Sequence, residues 1–205
     1  MAYTAPRTWT NGELIDASIM NTHVRDNIIY LKSQVSAHIL FSGASIVPST
    51  TNGCTPPTKI ESATNKQNLM LPTFDYNTNQ YGEWTLPYFP DDYNGGTVTA
   101  KFIWTHNAQS ALGNSVVWGF QARAYADGDA IDGAWGTAQE VSDQPHASLT
   151  WTVRVTSATA AITIANTPAA GKACQFRAYR NAAAAGDTYG AASYLIGVLL
   201  NYTRA

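Results

Sequence analysis

The apolar positions of this chain follow two rhythms, and the change comes near residue 45. Ahead of it, Asn21, Val24, Ile28, Leu31, Val35 and His38 fall at alternating three- and four-residue steps, which predicts an amphipathic helix with an a/d seam. Asp16 is placed as its N-cap, with Ile15 and Met20 at the two ends of a hydrophobic staple. Gly43 predicts the stop, and Pro48 keeps the helix from running on. A helix this short is marginal alone in water, so it must pack on its own domain, on copies of itself or on a larger assembly. The narrow seam favours self-association, because a helix docked on a globular core shows a wider apolar stripe.

Residues 45–67 are rich in Ser, Thr, Asn and Pro and read as a connector, with room for a short edge strand around Lys59 to Glu61. From Leu69 onward the apolar residues mostly alternate. Val98, Ala100, Phe102 and Trp104 form one set; Val116, Trp118, Phe120 and Ala122 form a second; Leu149, Trp151, Val153 and Val155 form a third. Further runs lie at 161–165, 173–179 and 191–202, each bounded by turn residues. About eight such runs without a helical stretch among them predict two packed antiparallel sheets, a mainly β sandwich of jelly-roll type. The expected organisation is an attachment segment and helix over 1–44, a linker over 45–67 and the β-sandwich over 68–205. In the last run Tyr194, Ile196, Val198, Leu200 and Tyr202 share one face while Leu195 and Leu199 take the other. A strand apolar on both faces is expected to be buried on both, by a loop, the helix or another subunit.

Composition narrows the function. Only 13% of the 205 residues are charged and the formal net charge is −2, which excludes a broad basic surface for nucleic acid. The 11% aromatic content speaks against disorder. Residues 1–10 carry neither the basic start nor the apolar run of a secretory signal. No stretch approaches the ~20 apolar residues that span a bilayer. Cys54 and Cys174 are far apart in sequence and read as two buried thiols, with one disulfide as the alternative.

The search for chemistry is mostly negative. No GxSxG, HExxH, Walker loop or dinucleotide fingerprint is present. His23, His38, His106 and His146 stand in unrelated contexts and read as surface or satisfied histidines. Glu83, Asp91, Asp92 and Glu140 offer carboxylates for glycoside hydrolysis, yet any β protein of this size does so. Asp127, Asp129 and Asp132 lie close together, as an oxygen-loving cation prefers, but without the EF-hand pattern they read as a solvated turn. Trp84, Tyr88, Tyr93 and Trp135 fall near expected loops, where aromatics stack on sugars or proteins or simply complete a core. Were a ligand bound, the polar loops 90–96 and 126–136 would be the place, with Tyr93, Asp127, Asp129, Asp132 and Trp135 as candidate contacts. Arg180 and Asp187 are expected to close the loop between them with an ion pair, of little stabilising value if exposed.

One segment adds a resemblance. Thr8 to Lys32, with Trp9, Gly12, Asn21, Arg25, Asp26, Asn27 and Leu31, resembles a short N-terminal element of tailed-bacteriophage virion proteins. There it precedes a variable domain that it helps to attach or trimerise. The β domain is similar to the jelly-roll units of phage fibres and decoration proteins in Arg180, the Asp187–Thr188 pair and the closing strand to Tyr202. The resemblance implies a virion component without choosing its place in the particle; together with the seam and the sandwich it leads to the expectation of a non-enzymatic virion structural protein. It would be a trimeric tail or neck fibre or appendage, attached through Trp9, Asn21, Val24, Arg25, Asp26, Ile28, Leu31 and Val35. Its partners would be copies of itself and other virion proteins, with no cofactor, no metal, no nucleic acid and no membrane insertion. A capsid decoration protein and a receptor-binding module for a host surface glycan are the alternatives.

Overall fold

The computed structural model describes residues 3–34, 37–110 and 112–205. An N-terminal helix precedes a mainly β body of two antiparallel sheets. The helix runs as α1 (Ala17–Met20), a π-helical turn (Asn21–Arg25) and α2 (Asp26–Gln34). The strands are β1 (Ala37–Ser42), β2 (Val47–Pro48), β3 (Thr55–Glu61), β4 (Asn68–Phe74), β5 (Gln80–Leu86), β6 (Tyr93–His106), β7 (Val116–Tyr125), β8 (Gln139–Asp143), β9 (Arg154–Val155), β10 (Ala173–Arg180) and β11 (Ser193–Arg204).

One sheet has the order β3-β4-β11-β6-β9 with β1 beside β11; the other has β2-β5-β10-β7-β8. Numbered from β4, the eight main strands therefore pair as first-eighth-third-sixth and second-seventh-fourth-fifth, the jelly-roll arrangement. The alternation of Val98, Ala100, Phe102 and Trp104 on β6 and of Val116, Trp118, Phe120 and Ala122 on β7 points those side chains into the space between the sheets, where all are buried. Aromatic contacts join the layers: Phe102 stacks on Trp118 at 5.4 Å, and the Trp104 indole N–H donates to Asp143 of β8 at 2.8 Å. Cys54 and Cys174 are free and buried in the same core, with burial pushing both thiols up to about 12.

Four expectations need correction. The helix does not continue through His38: residues 37–42 form β1, paired antiparallel with β11 from Ala37↔Tyr202 to Ser42↔Gly197. In so short a segment a seam step and a strand alternation coincide, and β11 offers a complete row of backbone partners. His38 therefore faces Asn201 across the ladder, where the two side chains hydrogen-bond. Residues 45–67 also carry more structure than a linker: the edge strand expected around Lys59 to Glu61 is present as part of β3, beside β4, and β2 adds a second on the edge of β5.

The third concerns 149–155. Leu149, Trp151, Val153 and Val155 do alternate, but they face solvent. The inward positions belong to Thr156 and Thr159, whose hydroxyls accept the N–H groups of Phe102 and Ala100 at 3.0 and 3.1 Å. Each returns its own N–H to the same residue's carbonyl, so threonine side chains complete the edge of β6 in place of a regular ladder. The fourth concerns β11. A bulge between Leu195 and Gly197 reverses the alternation, so Ser193 and Leu195 face the core together with Val198, Leu200 and Tyr202. The strand reads as apolar on both faces because its phase changes within it. That removes the oligomer argument drawn from its pattern.

The crossing from β10 to β11, between the two sheets, is pinned by a buried ion pair. Arg180 is 0% exposed and all five of its N–H groups are used. Nε and Nη2 donate to Asp187 at 2.9 and 2.6 Å, Nη1 to Ala191 O and Ser193 Oγ, and Nη2 also to Tyr189 O. Asp187 in turn accepts the Val117 N–H of β7 at 3.0 Å. The expected loop closure is present, but buried, and so belongs to a different energetic class from an exposed pair.

His106, at the end of β6, orders the segment before β9. Its Nε2 accepts the His146 N–H at 2.9 Å and lies 3.0 Å from the Thr152 hydroxyl, while Nδ1 lies 2.9 Å from Ala108 O. These partners require the neutral ring with its proton on Nδ1. His146 accepts the Ser148 and Leu149 N–H groups on its own Nδ1.

Two predictions follow from these networks. Asp187→Asn leaves the Arg180 charge buried without its counter-ion and is expected to cost about 3–5 kcal/mol in urea unfolding; a loss under about 1 kcal/mol would mean that the pair does not hold the crossing. Burial pushes the His106 pKa down from 6.5, and the nearby Arg154 and His146 act in the same direction. A lowered folded-state value means that stability is intact above 6.5 and is lost as the pH falls below it. The thermal midpoint should therefore decline on that acid side, and His106→Gln should flatten the decline.

Candidate functional site

The N-terminal element builds outward from a tight turn. Asn11 and Gly12 form it between Thr10 and Glu13, with Glu13 N–H donating to Thr10 O at 3.2 Å. Gly12 sits at φ +79°, which side chains disfavour. The Glu13 carboxylate accepts the Thr10 N–H at 3.2 Å and pairs with Arg7. The Arg7 guanidinium lies over the Trp9 ring, 5.2 Å from its centroid. Trp9 thus keeps one ring face occupied by its own segment while remaining exposed to solvent.

Asp16 caps the helix as expected, its Oδ1 accepting the Ile19 N–H at 2.8 Å. Ile15 and Met20, the staple positions, are both exposed. The π-helical turn begins at Asn21, whose carbonyl takes the Asp26 N–H five residues on. Turns of this kind gather at functional positions. Arg25 and Asp26 form an exposed pair at 2.8 Å.

The side chain that holds the element together is Asn27, which the resemblance includes but to which no spacing rule assigns a contact. Asn27 is buried, and its amide bonds the extended arm as a β-strand neighbour would. Oδ1 accepts the Thr4 N–H at 3.0 Å and Nδ2 donates to Thr4 O at 2.7 Å, with His23 O at 3.2 Å as a further acceptor. Tyr3 and Tyr30 meet beside it, ring centroids 5.7 Å apart. The available signal was an asparagine inside a helix, where it is a poor helix former and needs a hydrogen-bonding reason.

With the arm on one side, the apolar side chains on the other are left open. Ile28 is 60% and Leu31 55% exposed, and Met20, Val24 and Ile29 are also exposed. Met20, Asn21, Val24, Arg25, Ile28 and Ile29 line a shallow groove along the helix. The structure thus brings Asn21, Val24, Arg25 and Ile28 to one face; Val35 lies outside the described residues.

The candidate loop contacts do not converge. Tyr93 is buried in the core against Phe89 and Tyr202, at 4.1 and 5.8 Å, because β6 begins with it. Trp84 is likewise buried, its indole N–H donating to Ser42 O at 2.9 Å. Trp135 lies on the outer face of the second sheet, where Arg177 is held between its ring and that of Tyr81, at 4.6 and 4.7 Å.

Asp129 accepts the Ala126 N–H and the Asn166 amide, both at 2.6 Å, and these bonds hold its carboxyl below the usual range. Asp127 and Asp132 stay exposed, and among the described residues no three His, Cys, Asp or Glu groups could hold a metal ion. The carboxylates considered for hydrolysis have partners. Glu83 takes Ser49 and Gln175, and Glu140 takes Tyr179 and Asn181. Asp91 takes Tyr88, and Asp92 takes Tyr202 and Arg204.

No family model and no curated protein matches this chain. Solved structures with a similar arrangement include a Paenibacillus sp. cycloisomaltooligosaccharide glucanotransferase complexed with cycloisomaltoheptaose (TM-score 0.40, 14% identity, covering 82% of this chain and 18% of that one). Another is infectious bursal disease virus, Gx strain (0.32, 7%, 78% and 42%). A third is the Emp47p carbohydrate recognition domain (0.29, 9%, 82% and 95%). Likeness at this level carries no argument about activity.

Asn27→Ala should release the arm while leaving the sandwich intact. Hydrogen exchange at the Thr4 amide should accelerate to the unprotected rate with the main thermal transition unmoved, each lost bond being worth about 0.5–1.5 kcal/mol locally. Retained protection at Thr4 would show that the arm is held by other contacts.

Proposed function

We propose that this protein is a non-enzymatic virion structural subunit, a trimeric tail or neck fibre or appendage protein. Its N-terminal helix assembles and attaches it, and its jelly roll projects outward. The observation that carries the reading is the open apolar stripe of Met20, Val24, Ile28, Ile29 and Leu31 on a helix braced from behind by Asn27. A stripe of this kind on a short helix calls for a partner helix, because burying each large aliphatic side chain is worth about 1.5–3 kcal/mol. The a/d spacing suits copies of the same helix, with the Asn21 amide setting alignment.

The resemblance of residues 8–32 to phage virion elements supports placement in a particle. The pairing of β1, the next described element after the helix, along β11 supports a stem that leaves the sandwich beside its closing strand. Other virion proteins would contact the assembled stem.

Mass measurement in solution tests this directly. The expected result at micromolar concentration is a trimer that Ile28→Asp with Leu31→Asp converts to a monomer, without loss of the sandwich's thermal transition. A wild-type protein that stays monomeric throughout that range would refute assembly through the helix.

A further inference from the structure

The outer face of the β3-β4-β11-β6-β9 sheet carries a concavity that the assembly reading does not use. Ile60 of β3, Leu69 of β4 and Ile196 of β11 form its apolar wall, with Trp151 and Val153 from the segment ahead of β9 opposite. Its volume of about 370 Å³ falls in the range of small-ligand sites. The bulge in β11 creates part of it, since the phase change there turns Ile196 outward.

Three observations indicate a ligand. The groove is lined in part by Thr105, only 2% exposed, whose hydroxyl has no hydrogen-bond partner among the described residues. Buried hydroxyls are otherwise paired, so an unpaired one just beneath a groove lining marks a polar group that a bound ligand can satisfy. Trp151 adopts φ +57°, a left-handed conformation that a bulky residue avoids. It is kept there by its N–H to His106 O at 2.6 Å and by the neighbouring Thr152 bond to the same histidine. Conformations of this kind persist only where the surroundings enforce them, and they cluster at binding positions. The enforced geometry leaves the indole 45% exposed at the groove, braced by Tyr194 with ring centroids 5.0 Å apart. Finally, among the described residues no Lys, Arg or His lines the groove, and its one carboxylate, Glu61, already has Lys66 at 3.7 Å.

We propose that this groove binds a neutral sugar residue that bears a methyl group, as a 6-deoxyhexose or an N-acetylhexosamine does. A pyranose presents one face of C–H groups, which stacks on the Trp151 indole. Its hydroxyls meet Thr105 Oγ1 and the Gln67 and Glu61 side chains at the rim. The aliphatic wall of Ile60, Leu69, Val153 and Ile196 exceeds what a fully hydroxylated ring covers, and a methyl substituent fills it. An anionic sugar would bring a second negative charge to Glu61, whose one neighbouring cation, Lys66, is already paired with it and lies outside the lining.

The test uses the intact protein and four probes, methyl rhamnoside, N-acetylglucosamine, glucose and glucuronate, followed by tryptophan fluorescence and ligand-observed NMR. Expected is saturable, millimolar-range binding of the first two, several-fold weaker binding of glucose, and none of glucuronate. Thr105→Val, which keeps the volume, should weaken binding about tenfold, the factor that follows from 1.4 kcal/mol. Trp151→Gly relieves the backbone strain, so it should leave the thermal midpoint unchanged or raised while abolishing binding. Trp135→Ala, on the other sheet, should bind as wild type. Saturation by none of the probes up to about 100 mM, equal binding of glucuronate, or binding that survives Trp151→Gly would overturn the proposal. None of these variants touches the helix stripe, so the oligomeric state reports separately on assembly.

Discussion

The buried pair of Arg180 and Asp187 is the constraint on which the rest of the sandwich depends. A jelly roll must pass the chain from one sheet to the other at each end, and here the β10-to-β11 passage is closed by a guanidinium with all five donors engaged. Its acceptors lie on the connecting loop and on Ser193, the first residue of β11, while Asp187 reaches across to the Val117 N–H of β7. One charge network thus sets the start of the closing strand relative to the neighbours of β10. An ion pair replaced here by apolar groups could be equally stable, but it would not specify the register so narrowly.

Everything attached to β11 inherits that register. β4 occupies the beginning of its free edge, at Ser193 and Tyr194, and β1 takes over from Gly197 to Tyr202. The handover is tight. A Cβ on Gly43, just after β1, would lie 2.2 Å from Leu195 O. The bulge lies at the same place, between Leu195 and Gly197. The same bulge turns Ile196 into the outer groove, so the β1 pairing and the proposed sugar site are both consequences of how one strand is placed.

Much of the fold was legible because alternation and burial coincide for central strands. In β6 and β7 one face of each strand lies between the sheets without a break in phase, so alternation reports burial directly. Residues 149–155 were misread for the complementary reason: at an edge, threonine hydroxyls can replace a ladder and free the apolar side chains to face outward. Asp16 was legible as a cap because capping is local chemistry. Asn27 was not, because its partner Thr4 is brought to it by a turn at Gly12 whose direction no spacing rule gives. Tyr93 looked like a loop aromatic beside Asn94, Gly95 and Gly96, yet β6 begins there and closes the core over it.

By itself the sequence determined the class of the fold, the helix start and the inward faces of the central strands. Each depends on interactions between near neighbours or on the periodicity of a buried face. Only the tertiary structure decided that 37–42 pair as a strand, which face of 149–155 is wet, that Arg180 and Asp187 are buried, and that Thr105 and Trp151 meet at one groove. Those outcomes depend on partners tens of residues away. Such a partner changes the free energy of a segment by supplying backbone hydrogen bonds or excluding water, and nothing in the segment's own composition encodes that it will be there.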